Sequence, residues 1–220
     1  MKAVIQKIDM CEILHFIGWR GAPVEPQLLE KLNGISENVL ASIQPRSALM
    51  RFDLAADGHL SGTSFMPMGQ DMASLLSSCS GAYLLAATLG AQSERLLIRE
   101  QARSSADALL LDAVLSAAIE AYCDQIESEL RVRMKDEGLC LTDRFSPGYG
   151  DMPLGQSGEI CEVLQASRRI GLTVSKSGIM IPRKSVTAIM GVSRTPVKRR
   201  ARGCAGCSAR KTCAFAERDK

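Results

Sequence analysis

The chain has 220 residues, of which 46% are hydrophobic and 23% charged, a balance that suits an ordinary globular protein with one principal core. Its longest apolar stretch, residues 82–89, is far short of the roughly 20 needed to cross a bilayer. The opening MKAVIQKIDMCEIL has no apolar signal-peptide core, so no membrane role is expected and the protein should be cytoplasmic. The net charge of +3 conceals a division: residues 194–220 hold nine Lys and Arg against two Asp and Glu, while the preceding 193 hold 18 against 22.

A short helix is predicted over 9–16, with Asp9 as N-cap and Glu12 three residues on, the spacing of a capping box. A second should run over 24–43, where Leu28, Leu32, Ile35, Val39 and Ile43 form an apolar stripe and Asn33-Gly34 offers a kink. Strands over 48–54 and 60–66 would form a hairpin about Asp57-Gly58. Asp71 could cap a short helix reaching Cys79, and 83–89 has the length and apolarity of a buried strand. Residues 91–137 lack Gly and Pro and keep helical spacing through Leu111, Val114, Ala118, Tyr122, Ile126 and Leu130, which predicts two helices broken near Ser104-Ser105. After a loop at 141–155, Ser157 could cap a helix to Arg169, with Gly171 just past its end. Extended pieces at 172–174 and 186–192 follow. Because helices and strands do not alternate regularly, the expected class is an α+β layer fold and not a doubly wound one. The folded body is assigned to 1–196 and a basic, Cys-rich tail to 197–220.

The loop LTDRFSPGYGDMPLG concentrates chemistry. Ser146-Pro147-Gly148-Tyr149 fits a type II turn, since Pro147 presets its φ and Gly148 accepts the positive φ required next. Gly148 and Gly150 would let a ligand lie against bare backbone. Arg144 can grip a carboxylate with two parallel hydrogen bonds, and Tyr149 adds a flat face. The set suits a zwitterion with an aromatic part; equally, Arg144 could pair with Asp143 or Asp151 in a plain loop. In SGIMIPRKSV (177–186), a turn with Ile179, Met180 and Ile181 in the core competes with a cleft wall presenting Lys176, Arg183 or Lys184.

RFSPGYGDMPLGQ (144–156) resembles the Arg-x-x-Pro-Gly-Tyr loop of the activation domain of cobalamin-dependent methionine synthase, and most of all the free-standing form of that domain. IGLTVSKSGIMIPRKSVTAIMGV (170–192) and IDMCEILHFIGWRG (8–21) are similar to further family segments in the same order, so the likeness extends over nearly the whole chain. The resemblance implies an activation-domain-like α+β fold, a twisted antiparallel sheet packed with helices, that binds S-adenosylmethionine. It implies an enzyme role as the activation subunit of a methyltransferase: reductive methylation of cob(II)alamin on a partner synthase, with a flavodoxin- or ferredoxin-like electron donor. Service to another corrinoid protein, as a reactivation or sensing module, is the alternative. By resemblance Arg144 holds the methionyl carboxylate, the backbone around Ser146 and Gly148 meets the amino or adenosine part, and Tyr149 packs on the nucleoside. An acidic contact from the long helix aligns with Ser116, with Glu120 one turn on; Asp9 and Glu12 are candidates for a second. No catalytic side chain is implied.

CAGCSARKTC places Cys204, Cys207 and Cys213 in a C-x-x-C plus one pattern, a thiolate set that suits zinc or an iron–sulfur cluster and is one ligand short of a closed site. A metal-bearing nucleic-acid-binding protein is the third reading of such a basic tail, against which stands the lack of interleaved aromatics. The other five cysteines, scattered singly, read mostly as small buried hydrophobes.

Overall fold

A computed structural model describes residues 5–19 and 23–197. Cys204, Cys207 and Cys213 lie outside the described residues, as does nearly all of the basic tail. Among the described residues no helix is long and apolar enough to cross a membrane.

The first two helices are α1 (Met10–Phe16) and α2 (Pro26–Ser42), followed by strand β1 (Arg46–Asp53), helix α3 (Gln70–Leu76) and strand β2 (Gly81–Thr88). Helices α4 (Ala91–Gln101) and α5 (Ser105–Asp136) come next, then β3 (Cys140–Leu141), α6 (Gln156–Val163) and α7 (Ala166–Ile170). The chain closes with β4 (Thr173–Val174), β5 (Met180–Ile181) and β6 (Ser185–Ser193). An antiparallel sheet of order β1-β2-β6-β3 forms the centre, and β4 and β5 make a separate small hairpin. The expected α+β class is what the chain adopts.

Helices cover both faces of the sheet, which is why β2 is buried along its whole length and reads as a continuous apolar run. Tyr83, Leu85 and Ala87 of β2 and Ala188, Met190 and Val192 of β6 meet the α1, α2, α4 and α5 side. Ala82, Leu84, Ala86 and Ile189 meet α3, α6 and α7. The period of two thus divides each central strand between two cores. The long helix α5 supplies the largest share of the first core, from Leu111 and Val114 through Tyr122 and Ile126 to Met134. Ser104 caps it by accepting from the Asp107 N–H at 3.2 Å, so the predicted break between α4 and α5 falls where expected.

Three local expectations fail for physical reasons. Residues 60–66 do not return as a strand: only Leu54 and Leu60 bridge, and Thr63 folds the chain back onto the Leu60 carbonyl, leaving β1 to pair with β2 over eight residues. Ser157 does not cap α6; it is buried, its hydroxyl accepting from Thr187 at 3.1 Å. The helix expected to reach Arg169 is split at Gln165, whose φ of 50° interrupts it, although Gly171 ends α7 in the left-handed conformation as predicted. Of the five scattered cysteines only Cys123 and Cys161 are buried; Cys79 and Cys140 are half-buried and Cys11 is exposed.

Candidate functional site

The loop after α5 is shaped by its register against β6. Leu141 pairs with Val192 and Phe145 with Ile189, so five residues of the loop face four of β6. That extra residue is a β-bulge, and it reverses the side-chain alternation: Leu141 enters the α5-side core and Phe145 the opposite one. Arg131 of α5 fastens the bulge, donating to the Leu141 carbonyl at 2.5 Å, the Thr142 carbonyl at 2.9 Å and the Asp143 carboxylate at 2.8 Å. Arg144, freed from strand pairing, turns toward α5.

Its guanidinium meets carboxylates on three positions of one helix face. Nε donates to Glu127 at 2.9 Å, and Nη2 lies 2.5 Å from Asp124 and 3.4 Å from Glu120. Glu127, only 2% exposed, is bridged by Arg131 and Arg144, which a buried carboxylate requires. Burial alone would lower the Arg144 pKa, but the adjoining Cys123 thiol, Glu120, Asp124 and Glu127 raise it, so the side chain stays cationic. Burial pushes the Cys123 thiol beneath it up to about 12, which makes that cysteine inert.

Beyond Phe145 the turn forms as predicted. Tyr149 N–H donates to the Ser146 carbonyl at 3.2 Å and Gly148 has φ 89°, as a type II turn demands. The glycines serve packing here rather than ligand approach. A side chain at Gly150 would run into the Asp71 carboxylate and the Phe145 ring, and one at Gly148 would press on Leu154. Asp151 then reaches across and accepts from the N–H groups of Gln70 and Asp71, at 2.5 and 3.1 Å. It caps α3 from outside the helix, a role the sequence assigned to Asp71.

These elements enclose a cleft of about 600 Å³. One wall is the loop, with Arg144, Ser146, Pro147 and Tyr149; the opposite wall is the α5 face with Glu120 and Asp124, joined by Glu12 of α1. Hydroxyls of Ser157, Ser185 and Thr187 lie along the floor, and Met180 of β5 closes the far side. Asp9 caps α1 through the Cys11 N–H, whereas Glu12 faces this cleft. Burial, with Asp124, Glu120 and Asp9 nearby, raises the Glu12 pKa, and Arg144 only partly opposes this.

The structure thus brings Arg144, Ser146, Tyr149 and Glu120 to one cleft and leaves Gly148 and Ser116 out of its lining. Ser116 accepts from Lys184 at 2.8 Å and donates to the Asp112 carbonyl; Lys184 also pairs with Asp112. Arg183 is held by Glu94. Ile179 and Ile181 are more than half exposed, so only Met180 of the expected apolar trio packs inward. Asp124 and Glu127 went unassigned in the sequence. Their signal was a carboxylate at 127 inside the apolar stripe of α5, flanked by Ile126 and Leu130. Among the described residues no group of His, Cys, Asp and Glu could hold a metal ion.

No family profile matches the chain, and no curated protein matches it by sequence. In structure it is similar to the MetH reactivation domain bound to AdoHcy, at TM-score 0.60 and 16% identity, over 92% of this chain and 80% of that one. This is the reactivation-domain fold.

Proposed function

We propose that the cleft binds S-adenosylmethionine and that the chain is the activation subunit for reductive methylation of cob(II)alamin on a cobalamin-dependent methionine synthase. One observation carries this reading: within a reactivation-domain fold, the Arg-Phe-Ser-Pro-Gly-Tyr loop and three carboxylates face each other across one cleft. The likeness to a domain whose structure holds AdoHcy supports the nucleoside class of ligand.

Arg144 is already paired, so the ligand must exchange partners. Glu120 and Asp124 side chains are 38% and 40% exposed and sit on the Nη2 edge of the guanidinium, while Glu127 is buried on Nε. A ligand carboxylate takes the Nη2 edge with a charge-assisted hydrogen bond. The displaced Asp124 and Glu120 then receive the ligand ammonium, and Glu12 faces the sulfonium. Tyr149, 70% exposed at the mouth, offers its ring to the adenine. The floor hydroxyls of Ser157 and Thr187 can meet ribose. The corrinoid, carried by the partner, supplies the cobalt that accepts the methyl group. This chain positions the donor and excludes water, and none of its side chains must transfer a proton. The exposed apolar rim of Tyr149, Leu154, Ile179 and Ile181 is suited to the partner's docking, and reducing power would come from a flavodoxin- or ferredoxin-like donor.

Isothermal titration with S-adenosylmethionine tests the reading. Binding should be one to one and weakened by about 2–4 kcal/mol in Arg144→Ala. Because that variant also strands buried Glu127, Arg144→Lys and the surface variant Tyr149→Ala serve as folded controls, and both should bind more weakly. A turnover assay follows, with cob(II)alamin-loaded synthase, a reductant and methyl-labelled S-adenosylmethionine. Label should enter the corrinoid only when this chain is present. Transfer to another corrinoid protein but not to the synthase would assign it to that protein instead.

A further inference from the structure

We infer that this cleft discriminates by charge, holding the S-adenosylmethionine sulfonium cation and releasing the neutral thioether left once the methyl has gone. The inference rests on the ligand reading above and adds its specificity. When the methyl leaves, the sulfur keeps the electron pair of the broken S–C bond and its positive charge disappears. S-adenosylmethionine carries one carboxylate, one ammonium and one sulfonium; S-adenosylhomocysteine lacks only the last charge. The two ligands therefore share every contact with Arg144 and Tyr149, and only groups that sense charge at sulfur can separate them.

The cleft is built to sense it. Among the described residues its lining holds five carboxylates (Glu12, Glu120, Asp124, Glu127 and Asp143) against the one guanidinium of Arg144. Arg131, behind the wall, compensates Glu127 and Asp143, so these described residues together carry three more negative than positive charges. The carboxylate and ammonium shared by both ligands cancel, so the thioether leaves that excess at three and only the sulfonium lowers it, to two. Loss of the methyl restores repulsion among half-buried carboxylates, where charges interact more strongly than in water. Glu12 is the group most exposed to this repulsion. Glu120 and Asp124 face it from α5, Asp9 from its own helix, and Arg144 opposes them from the loop. A third cation in the cleft favours ionised Glu12, so discrimination should sharpen as pH rises through its titration and fade below it.

The experiment is a titration of the full chain with S-adenosylmethionine, S-adenosylhomocysteine and sinefungin, an analogue that carries an amine in place of the methylated sulfur. At pH 8 and low salt, S-adenosylmethionine and sinefungin should each bind about tenfold or more tightly than S-adenosylhomocysteine. The gap should narrow at pH 5, and Glu12→Gln should reduce it by weakening the two cations more than the thioether. Equal affinities at pH 8, or equal weakening of all three ligands in Glu12→Gln, would overturn the charge discrimination while leaving the ligand reading intact. Absence of binding by all three overturns the ligand reading and this inference together.

Discussion

Arg144 shows how one residue can be legible in type and misjudged in partner. The sequence offered Asp143 or Asp151 as its partner, yet three α5 carboxylates pair with it, while Arg131 takes Asp143 and Asp151 caps α3. The cause is Glu127, a buried acid that needs cationic partners and draws Arg131 and Arg144 onto itself. Glu12 carries the clearest pH consequence. Its folded pKa is raised by burial and by neighbouring carboxylates. The folded state thus holds the proton more tightly than the unfolded chain, and stability that is full below the unfolded carboxylate pKa is lost as pH rises through the folded one. Glu12→Gln should therefore unfold at a higher denaturant concentration than the parent at pH 7, with the difference vanishing near pH 4. A midpoint that stays put at both pH values would count against the placement of Glu12 in the acidic cluster.

At the scale of elements, the decisive devices are a bulge and a borrowed cap. The bulge between Leu141 and Phe145 turns Arg144 toward α5 without disturbing the sheet, since β6 keeps its pairing with β2 throughout. Asp151 ties the end of the turn to α3, and the two backbone N–H bonds it accepts hold its pKa below the usual range. That contribution is present above the unfolded carboxylate pKa and is lost as pH falls through the lowered folded value. Asp151→Asn should melt lower than the parent at pH 7 and converge with it in acid, as scanning calorimetry would show. Gly150 is the tighter constraint, with φ 54° and Asp71 directly above it. Gly150→Ala should cost about 1–2 kcal/mol for the left-handed backbone alone, read as a shift in the chemical-denaturation midpoint, and should weaken S-adenosylmethionine binding by loosening the loop.

Over the whole molecule, the acidic body and basic tail invite separate tests. A chain ending at Val197 retains every described residue of the cleft and should bind S-adenosylmethionine with unchanged affinity. If Cys204, Cys207 and Cys213 hold zinc or an iron–sulfur cluster, full-length protein purified without oxygen should contain metal that the shortened chain lacks; elemental analysis of the two decides it. For the intact protein, S-adenosylmethionine at one hundred times its dissociation constant should stabilise the fold by about 2.7 kcal/mol, visible as a rise in melting temperature. No such rise would contradict binding to the native state.

The sequence by itself determined the elements whose signals are periodic or stereochemical. The α5 stripe, the Ser104 cap, the buried run of β2 and the Pro147-Gly148 turn were all readable because each depends on neighbours within a few residues. It also placed Arg144, Ser146 and Tyr149 together, since one loop carries them. Only the tertiary structure decided which carboxylates oppose them. Glu12 lies more than a hundred residues from Arg144, and Glu127 is separated from it by the turn out of α5 and the bulge. It also decided that 60–66 would not pair and that Ser157 would be buried, because β2 and Thr187 arrive from distant positions. Helical and strand periods act along the chain, whereas the charge of the cleft is a sum over residues that only packing brings within a few ångströms of one another.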